Sequence, residues 1–134
     1  MNDSNAGHRN VQLDGIGQIA ITVSDLARSK EFYRDTLGLK FLFDAGSMCF
    51  FQCGNIRLMI GASDKPVAAG GVILYYRVEN LDETHEVLSA RGVAFTQKPH
   101  LVAKMPDHDL WMAFLADPDG HPIGLMCEVG RTSM

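Results

Sequence analysis

The sequence predicts an α+β fold in which two β-α-β-β-β modules form a curved mixed sheet around a cleft. Two observations lead to this prediction. The order strand, helix, then three strands occurs twice along the chain. The junctions also recur, because Val23-Ser24-Asp25-Leu26 corresponds to Val78-Glu79-Asn80-Leu81 after about 55 residues, as in an internal repeat. One module alone would leave a sheet face and an edge open, so the two modules are expected to pair.

The first module occupies about residues 16–61. A β-branched apolar run over Ile16–Val23 predicts its first strand, and Ser24-Asp25 offers an N-cap for the helix that follows. Apolar residues at helical spacing continue to Leu37, and Gly38 is the expected stop. Three further strands are predicted at Lys40–Asp44, Met48–Gln52 and Ile56–Ile60.

The second module, at about residues 71–128, follows a Gly-, Ser- and Pro-containing linker at Ala62–Gly70. A helix is predicted over Leu81–Arg91, with Asn80 as N-cap and Gly92 as stop. The other expected elements are a strand at Gly71–Val78, a short strand at Val93–Thr96, a long polar loop at Gln97–Asp109, and a hairpin of Leu110–Leu115 and His121–Glu128 around the Asp117-Pro118-Asp119-Gly120 turn.

Composition limits the classes of function. The 134 residues suit a single domain at residues 15–130, preceded by a flexible tail at residues 1–14 that lacks the apolar stretch of a signal peptide. The net charge of −4 and the lack of a basic stripe argue against nucleic acid. No apolar run approaches the roughly 18 residues that cross a membrane. Three cysteines without zinc-site spacing predict reduced thiols and a cytoplasmic location.

Three stretches carry a resemblance to a known family. Residues 23–39, including Phe32-Tyr33 and Leu37-Gly38-Leu39, look like its first-helix signature, residues 78–92 look like a weaker second copy, and Asp117-Pro118-Asp119-Gly120 looks like its last turn. The chain therefore resembles the vicinal oxygen chelate family, the glyoxalase, bleomycin-resistance and dioxygenase superfamily, over residues 16–128. The resemblance implies that family's fold, a small-molecule ligand in the cleft and a homodimer.

The resemblance also implies where metal ligands would lie. In metal-dependent members, four strands contribute His or Gln, Glu, His and Glu to the cleft. Counting from the shared motifs places these positions at Gln18, Met59, Ile73 and Gly124. An amide, a thioether and two residues without a donor are a poor set for a hard divalent ion. The sequence therefore predicts no metal and no cofactor, and classical glyoxalase I activity is not expected.

The cleft lining is expected to be mainly apolar. Strand alternation places Tyr75 and Met126 on the same faces as the four ligand positions. The candidate ligand-binding residues are Gln18, Met59, Ile73, Tyr75, Trp111, Gly124 and Met126. Such a lining suits a small, mainly apolar or aromatic molecule. The alternative is that these side chains simply fill the cleft as core.

Catalysis without the usual metal remains a second hypothesis. His100 and His108 lie in the predicted polar loop, and either could act as a general base or join Asp107 in an unusual metal site. Tyr75 is the third catalytic candidate. Solvated loop histidines are the simpler interpretation. A partner-binding or regulatory module is a third hypothesis, which the sequence does not distinguish from the others.

Overall fold

The computed structural model describes residues 16–65 and 72–130. The predicted tail at residues 1–14 and most of the predicted linker lie outside the described residues. The elements are β1 Gln18–Val23, α1 Leu26–Glu31, a π-helical segment Phe32–Thr36, β2 Lys40–Ala45, β3 Met48–Cys53, β4 Ile56–Ala62, β5 Leu74–Arg77, α2 Leu81–Ala90, β6 Phe95–Lys104, β7 His108–Ala116 and β8 Pro122–Gly130. The predicted α+β class and the repeated module are confirmed.

The eight strands form two four-stranded mixed sheets. Sheet 1 has the order β1-β4-β3-β2 and sheet 2 the order β5-β8-β7-β6. In each sheet the first and last strands of the module pair in parallel, and the other pairs are antiparallel. The registers agree as well: Ala20 lies opposite Met59 in sheet 1, just as Tyr75 lies opposite Gly124 in sheet 2. Met59 and Gly124 therefore occupy equivalent positions in the two modules.

Both helices begin and end at the predicted signals. The Asp25 side chain accepts a hydrogen bond from the Arg28 N–H at 3.0 Å, and the Asn80 side chain accepts one from the Glu83 N–H at 3.0 Å. After the helices, Gly38 and Gly92 adopt φ values of 78° and 92°, which favour glycine. These signals are local, so they can be recognised in the sequence alone.

The first helix ends in a wide turn. The Leu37 N–H donates to the Phe32 carbonyl five residues earlier, at 2.9 Å, so the Phe32–Thr36 segment is π-helical. Within this segment Tyr33 is fully buried. The helix predicted to reach Leu37 has the expected extent, but its last turn is π-helical instead of α-helical.

The two modules share one apolar core. Each helix packs on its own sheet, α1 on β3 and β4 and α2 on β6, β7 and β8. The buried residues of both sheets nevertheless belong to a single cluster that includes Val23, Phe51, Ile60, Leu115 and Ile123. No described helix packs on the other face of either sheet.

The sequence predicted a loop at Gln97–Asp109, and this prediction is wrong. Most of it belongs to β6, which pairs antiparallel with β7, and only residues 105–107 form the turn. Three register shifts interrupt the β6–β7 pairing and hide the two-residue alternation that would have predicted a strand. β6 is also an edge strand, where the polar residues and Pro99 are tolerated.

Candidate functional site

Each sheet has an open face, defined as the face opposite its helix. On sheet 1, the exposed β1 residues alternate with Ile19, Ile21 and Val23, which face the core. The strand registers then fix the other members of both faces. The open face of sheet 1 carries Gln18, Ala20, Thr22, Arg57, Met59, Gly61, Met48, Phe50, Gln52, Lys40, Phe43 and Ala45. The open face of sheet 2 carries Tyr75, Arg77, Pro122, Gly124, Met126, Glu128, Gly130, Ala116, Phe114, Met112, Leu110, His108, Gln97, His100 and Ala103.

Five of the predicted ligand-binding residues lie on these open faces. Gln18 and Met59 are on sheet 1, whereas Tyr75, Gly124 and Met126 are on sheet 2. Ile73 precedes β5 instead of lying within it, because the strand begins three residues later than the predicted Gly71 start. The Ile73 side chain is exposed.

The resemblance places the fourth metal ligand at Gly124. The Tyr75 ring occupies the space that a side chain at Gly124 would need. A Cβ atom built on Gly124 would lie 2.5 Å from Cδ2 of Tyr75 and 3.2 Å from Cε1 of Phe114. The Tyr75 and Phe114 rings contact each other edge to face, with centroids 5.8 Å apart. Glycine is therefore required here by the close approach of an aromatic side chain.

The residues at the four ligand positions do not fit a divalent metal. Gln18 supplies one amide oxygen, Met59 a soft thioether, and Gly124 no donor beneath an aromatic ring. Among the described residues, no group of three His, Cys, Asp or Glu side chains has an arrangement that could hold a metal ion.

Trp111 lies apart from the predicted set, and its placement in the cleft was wrong. It pairs with Cys127 across β7 and β8, whereas its neighbour Met112 pairs with Met126 on the open face. Successive strand residues point to opposite faces, so Trp111 faces the helix side. There it packs against the core and lines a depression with Leu81 at the start of α2.

The two candidate histidines do not converge. His100 lies opposite Met112 on the open face of sheet 2, where its Nδ1–H donates to the Lys98 carbonyl at 2.7 Å. His108 is at the start of β7, with Nδ1 2.7 Å from Asp107 Oδ1 and Nε2 3.9 Å from Glu128 Oε2. Four residues of strand separate His108 from Met112, or roughly 13 Å. The two imidazoles therefore cannot act on one substrate atom in this arrangement.

A cavity of about 360 Å³ lies between the modules. It is formed where the β1 edge of sheet 1 meets the β5 and β8 strands of sheet 2, and we call it the seam cavity. It is lined by Ile19, Ala20, Ile21, Thr22, Tyr33, Val72, Leu74, Tyr76, His121, Pro122 and Ile123. Ala20, Thr22 and Pro122 belong to the open faces, so the seam cavity borders both of them. A smaller cavity of about 100 Å³ shares Ile19, Leu74 and Tyr76 with it and adds Tyr75.

Two tyrosines provide the polar groups of this region. The buried Tyr33 hydroxyl donates to Asp117 Oδ2 at 2.8 Å, and the other Asp117 oxygen accepts the backbone N–H groups of Asp119 and His121. The Tyr76 hydroxyl is buried and has no hydrogen-bond partner among the described residues. Burial raises the pKa of both phenols well above the ordinary value, and the Asp117 carboxylate raises that of Tyr33 further. Both side chains are therefore neutral at physiological pH.

Polar contacts also join the modules beside the seam cavity. Asp119 accepts hydrogen bonds from the Ser24 N–H at 3.2 Å and from the Arg28 guanidinium at 3.4 Å. The His121 Nε2–H donates to the Thr22 carbonyl at 2.8 Å. Desolvation raises the pKa of Asp119, but the Ser24 hydrogen bonds and Arg28 outweigh it and hold this pKa below its ordinary value.

Most residues of the seam cavity were not among the sequence candidates, and only Ala20, Thr22 and Pro122 share strand faces with the predicted ligand positions. Ile19 and Leu74 alternate with the open-face positions, which predicts core packing and nothing more. His121 directly follows the turn glycine, where a polar residue usually faces solvent. These residues form a cavity wall only because edge strands of the two modules lie next to each other. No local sequence pattern predicts that arrangement.

Comparison with known proteins agrees with this architecture. A model of the Glyoxalase/Bleomycin resistance protein/Dioxygenase superfamily matches residues 15–125. The uncharacterized protein YraH of Bacillus subtilis (strain 168) is 30% identical over 120 residues, covering 76% of this chain and 89% of that protein. The structure of lactoylglutathione lyase from Agrobacterium tumefaciens is similar with a TM-score of 0.70 and 20% identity, over 86% of this chain and 94% of the other. A glyoxalase/bleomycin resistance protein/dioxygenase structure from Alicyclobacillus acidocaldarius has a TM-score of 0.68 and 17% identity, over 86% and 92% of the two chains.

Proposed function

Since the chain belongs to the glyoxalase, bleomycin resistance protein and dioxygenase superfamily, we propose that it binds a small, mainly apolar or aromatic molecule without a metal ion. The observation that carries the proposal is the seam cavity, whose volume of about 360 Å³ falls within the usual range for small-molecule pockets. Its walls are aliphatic and aromatic, with only a few polar groups. This is the usual composition of a site that recognises an apolar ligand.

The open faces extend this site beyond the seam cavity. Ala20 and Pro122, which line the seam cavity, lie two residues from Gln18 and Gly124 on the same faces. We assign to the ligand-binding region the residues Gln18, Met59, Ile73, Tyr75, Gly124 and Met126. Methionine side chains adapt to varied shapes, and the Tyr75 ring offers a surface for a planar group.

Independence from metal follows from the donor set. The ligand positions supply one amide, one thioether, one alkyl side chain and one glycine, and the glycine lies beneath Tyr75. A metal ion there would lose most of its hydration and gain a single amide oxygen in return. Binding in the seam cavity requires no such ion.

Filling the seam cavity tests the proposal. A panel of small aromatic and aliphatic compounds is screened by thermal shift against the native protein, an Ala20→Phe variant and an Ala103→Phe variant. Ala20 lines the seam cavity, whereas Ala103 lies on β6 and does not line it. A compound that binds at 100 times its Kd stabilises the fold by about 2.7 kcal/mol. We expect stabilisation in the native protein and in Ala103→Phe, and its loss in Ala20→Phe. Equal binding by both variants, or no binding by the native protein, would refute the proposal.

The alternative is an enzyme of the same superfamily that uses His100, His108 or Tyr75 without the usual metal. The separation of His100 from His108 does not favour it, because the two imidazoles cannot act on one substrate atom. Incubation with a methylglyoxal–thiol adduct, with and without added nickel or zinc, distinguishes the two. We expect no product under either condition, and product formation would make the enzyme the leading hypothesis.

The proposal extends to assembly and location. We propose a homodimer, since large apolar side chains outside the assigned ligand-binding region, such as Phe43 and Val102, are exposed. We also propose a cytoplasmic location, which suits the three free cysteines. No described helix is long and apolar enough to cross a membrane. Light scattering of the purified protein gives the mass of the assembly directly.

A further inference from the structure

The arginines of the open faces differ from the other described arginines. Arg28 pairs with Asp119, Arg34 pairs with Asp35, and Arg91 donates to the Thr36 carbonyl at 2.7 Å. Arg57 and Arg77 lie on the open faces of sheets 1 and 2, and no ion pair joins either one to a carboxylate in the described ranges. The Arg57 guanidinium lies over the Phe50 ring, 5.8 Å from its centroid, whereas Arg77 has no such contact with a described ring. Guanidinium groups bind carboxylates in bidentate geometry, so Arg77 is available for an external anion.

The charge on the open faces is opposite to that of the whole protein. The chain has a formal net charge of −4. The strand residues of the two open faces nevertheless include the cations Arg57, Lys40 and Arg77 and one carboxylate, Glu128, which lies 3.9 Å from His108. On sheet 2 the positive charge is local to Arg77, since Glu128 lies beside His108 at the other end of the face.

Aromatic rings lie next to Arg77. Tyr75 is two residues earlier on the same face of β5, so its Cα lies roughly 6.6 Å from that of Arg77. Its ring is 44% exposed and contacts Phe114 edge to face. The Phe114 ring in turn lies 6.3 Å from the His100 ring, between centroids. Across the strand pair, Arg77 lies opposite Met126 of β8.

We propose that the open face of sheet 2 binds a planar aromatic anion, with its ring on Tyr75 and Phe114 and its carboxylate on Arg77. This inference rests on the proposed function and specifies the ligand class. Gly124 contributes by letting one edge of the Tyr75 ring approach the β8 backbone, because a Cβ atom at this position would lie 2.5 Å from Cδ2 of that ring.

Calorimetric titration in the presence of a chelator tests the inference with 2-naphthoate and its neutral analogue 2-naphthamide. The native protein is expected to bind the acid at least ten-fold more tightly than the amide, since only the acid pairs with Arg77. Arg77→Gln is expected to remove that preference and to leave amide binding unchanged. Arg34→Gln is the matched control, because Arg34 is on the opposite, helical side of sheet 1 and pairs with Asp35. It should behave as the native protein does.

The Tyr75→Ala variant reports on the aromatic contact. It is expected to weaken acid and amide alike by at least ten-fold, whereas Tyr75→Phe keeps the ring and should bind both as the native protein does. Circular dichroism checks that each variant is folded.

The outcomes separate this inference from the proposed function. Equal affinity of the native protein for acid and amide, or equal behaviour of Arg77→Gln and Arg34→Gln, would overturn the inference and leave the proposed function standing. Absence of binding by these two compounds and by the whole apolar and aromatic panel would overturn both.

Discussion

Gly124 shows how closely the backbone of one strand can approach an aromatic side chain of the next. Its backbone lies so close to Tyr75 that an added Cβ would be 2.5 Å from the ring. A carboxylate side chain at this position would have to displace Tyr75. The Tyr75 ring can therefore take its position only because residue 124 has no side chain.

The Gly124→Ala substitution tests this coupling. We expect a loss of about 1–3 kcal/mol in the free energy of unfolding, the usual cost of overpacking. In a Tyr75→Ala background the same substitution should cost much less, because the clashing ring is gone. Urea denaturation of the four proteins in a double-mutant cycle gives the coupling energy. Equal costs of Gly124→Ala in both backgrounds would show that the two residues are independent.

Tyr33 is the residue that ties α1 to the last turn of the second module. Tyr33→Phe leaves Asp117 Oδ2 buried without its donor, so we expect a loss of about 1–3 kcal/mol in unfolding free energy at pH 7. Tyr75→Phe, at a half-exposed ring with no such bond, should cost less than about 0.5 kcal/mol. Equal losses would remove the special role of the Tyr33–Asp117 hydrogen bond.

The raised pKa of Tyr33 predicts a pH dependence at alkaline pH. Below the ordinary tyrosine pKa of 10.0, both the folded and unfolded states are protonated and the stabilisation is complete. Above it, only the unfolded state ionises, so stability falls as pH rises toward the raised folded pKa. Each such tyrosine contributes a slope of about 1.4 kcal/mol per pH unit. Urea unfolding between pH 9 and 11 should therefore show a shallower slope for Tyr33→Phe than for the native protein, and identical slopes would contradict the assignment.

At the scale of elements, the ends of the helices could be predicted from the sequence, whereas the strand registers and bulges could not. The caps Asp25 and Asn80 and the stops Gly38 and Gly92 depend on a few neighbouring residues, and all four were predicted from the sequence. The Gln97–Asp109 segment was missed because bulges interrupt its alternation. Trp111 was assigned to the wrong side because its facing depends on the β7–β8 register, which puts Met112 opposite Met126. Neither register nor bulges can be read from one strand alone.

Hydrogen exchange tests the β6–β7 hairpin directly. If residues 97–104 form a strand, the amides that pair with β7 should exchange much more slowly than those of a solvated loop. The β6 amides that face away from β7 provide an internal control, because an edge strand leaves them unpaired. Complete exchange of the whole segment within seconds would support the loop instead.

At the scale of the molecule, the two modules meet through side chains, and the described strands of one sheet do not pair with those of the other. The Asp119 and His121 contacts join them on one side of the seam cavity, and the Arg91 bond to Thr36 joins their helical segments. A cavity between two units held in this way is accessible to a ligand without unfolding either sheet. The fold was predictable because each module repeats the same pattern, whereas the seam cavity was not, because it belongs to neither module alone.

Metal-independent binding is tested most directly by calorimetric titration of an aromatic ligand from the panel into the native protein, performed once with excess chelator and once with added nickel. Because the residues at the ligand positions offer no adequate set of metal donors, we expect the same Kd and a stoichiometry of about one per chain in both titrations. Binding that appears only with nickel, or strengthens ten-fold or more with it, would contradict metal-independent binding and place a metal ion in the site.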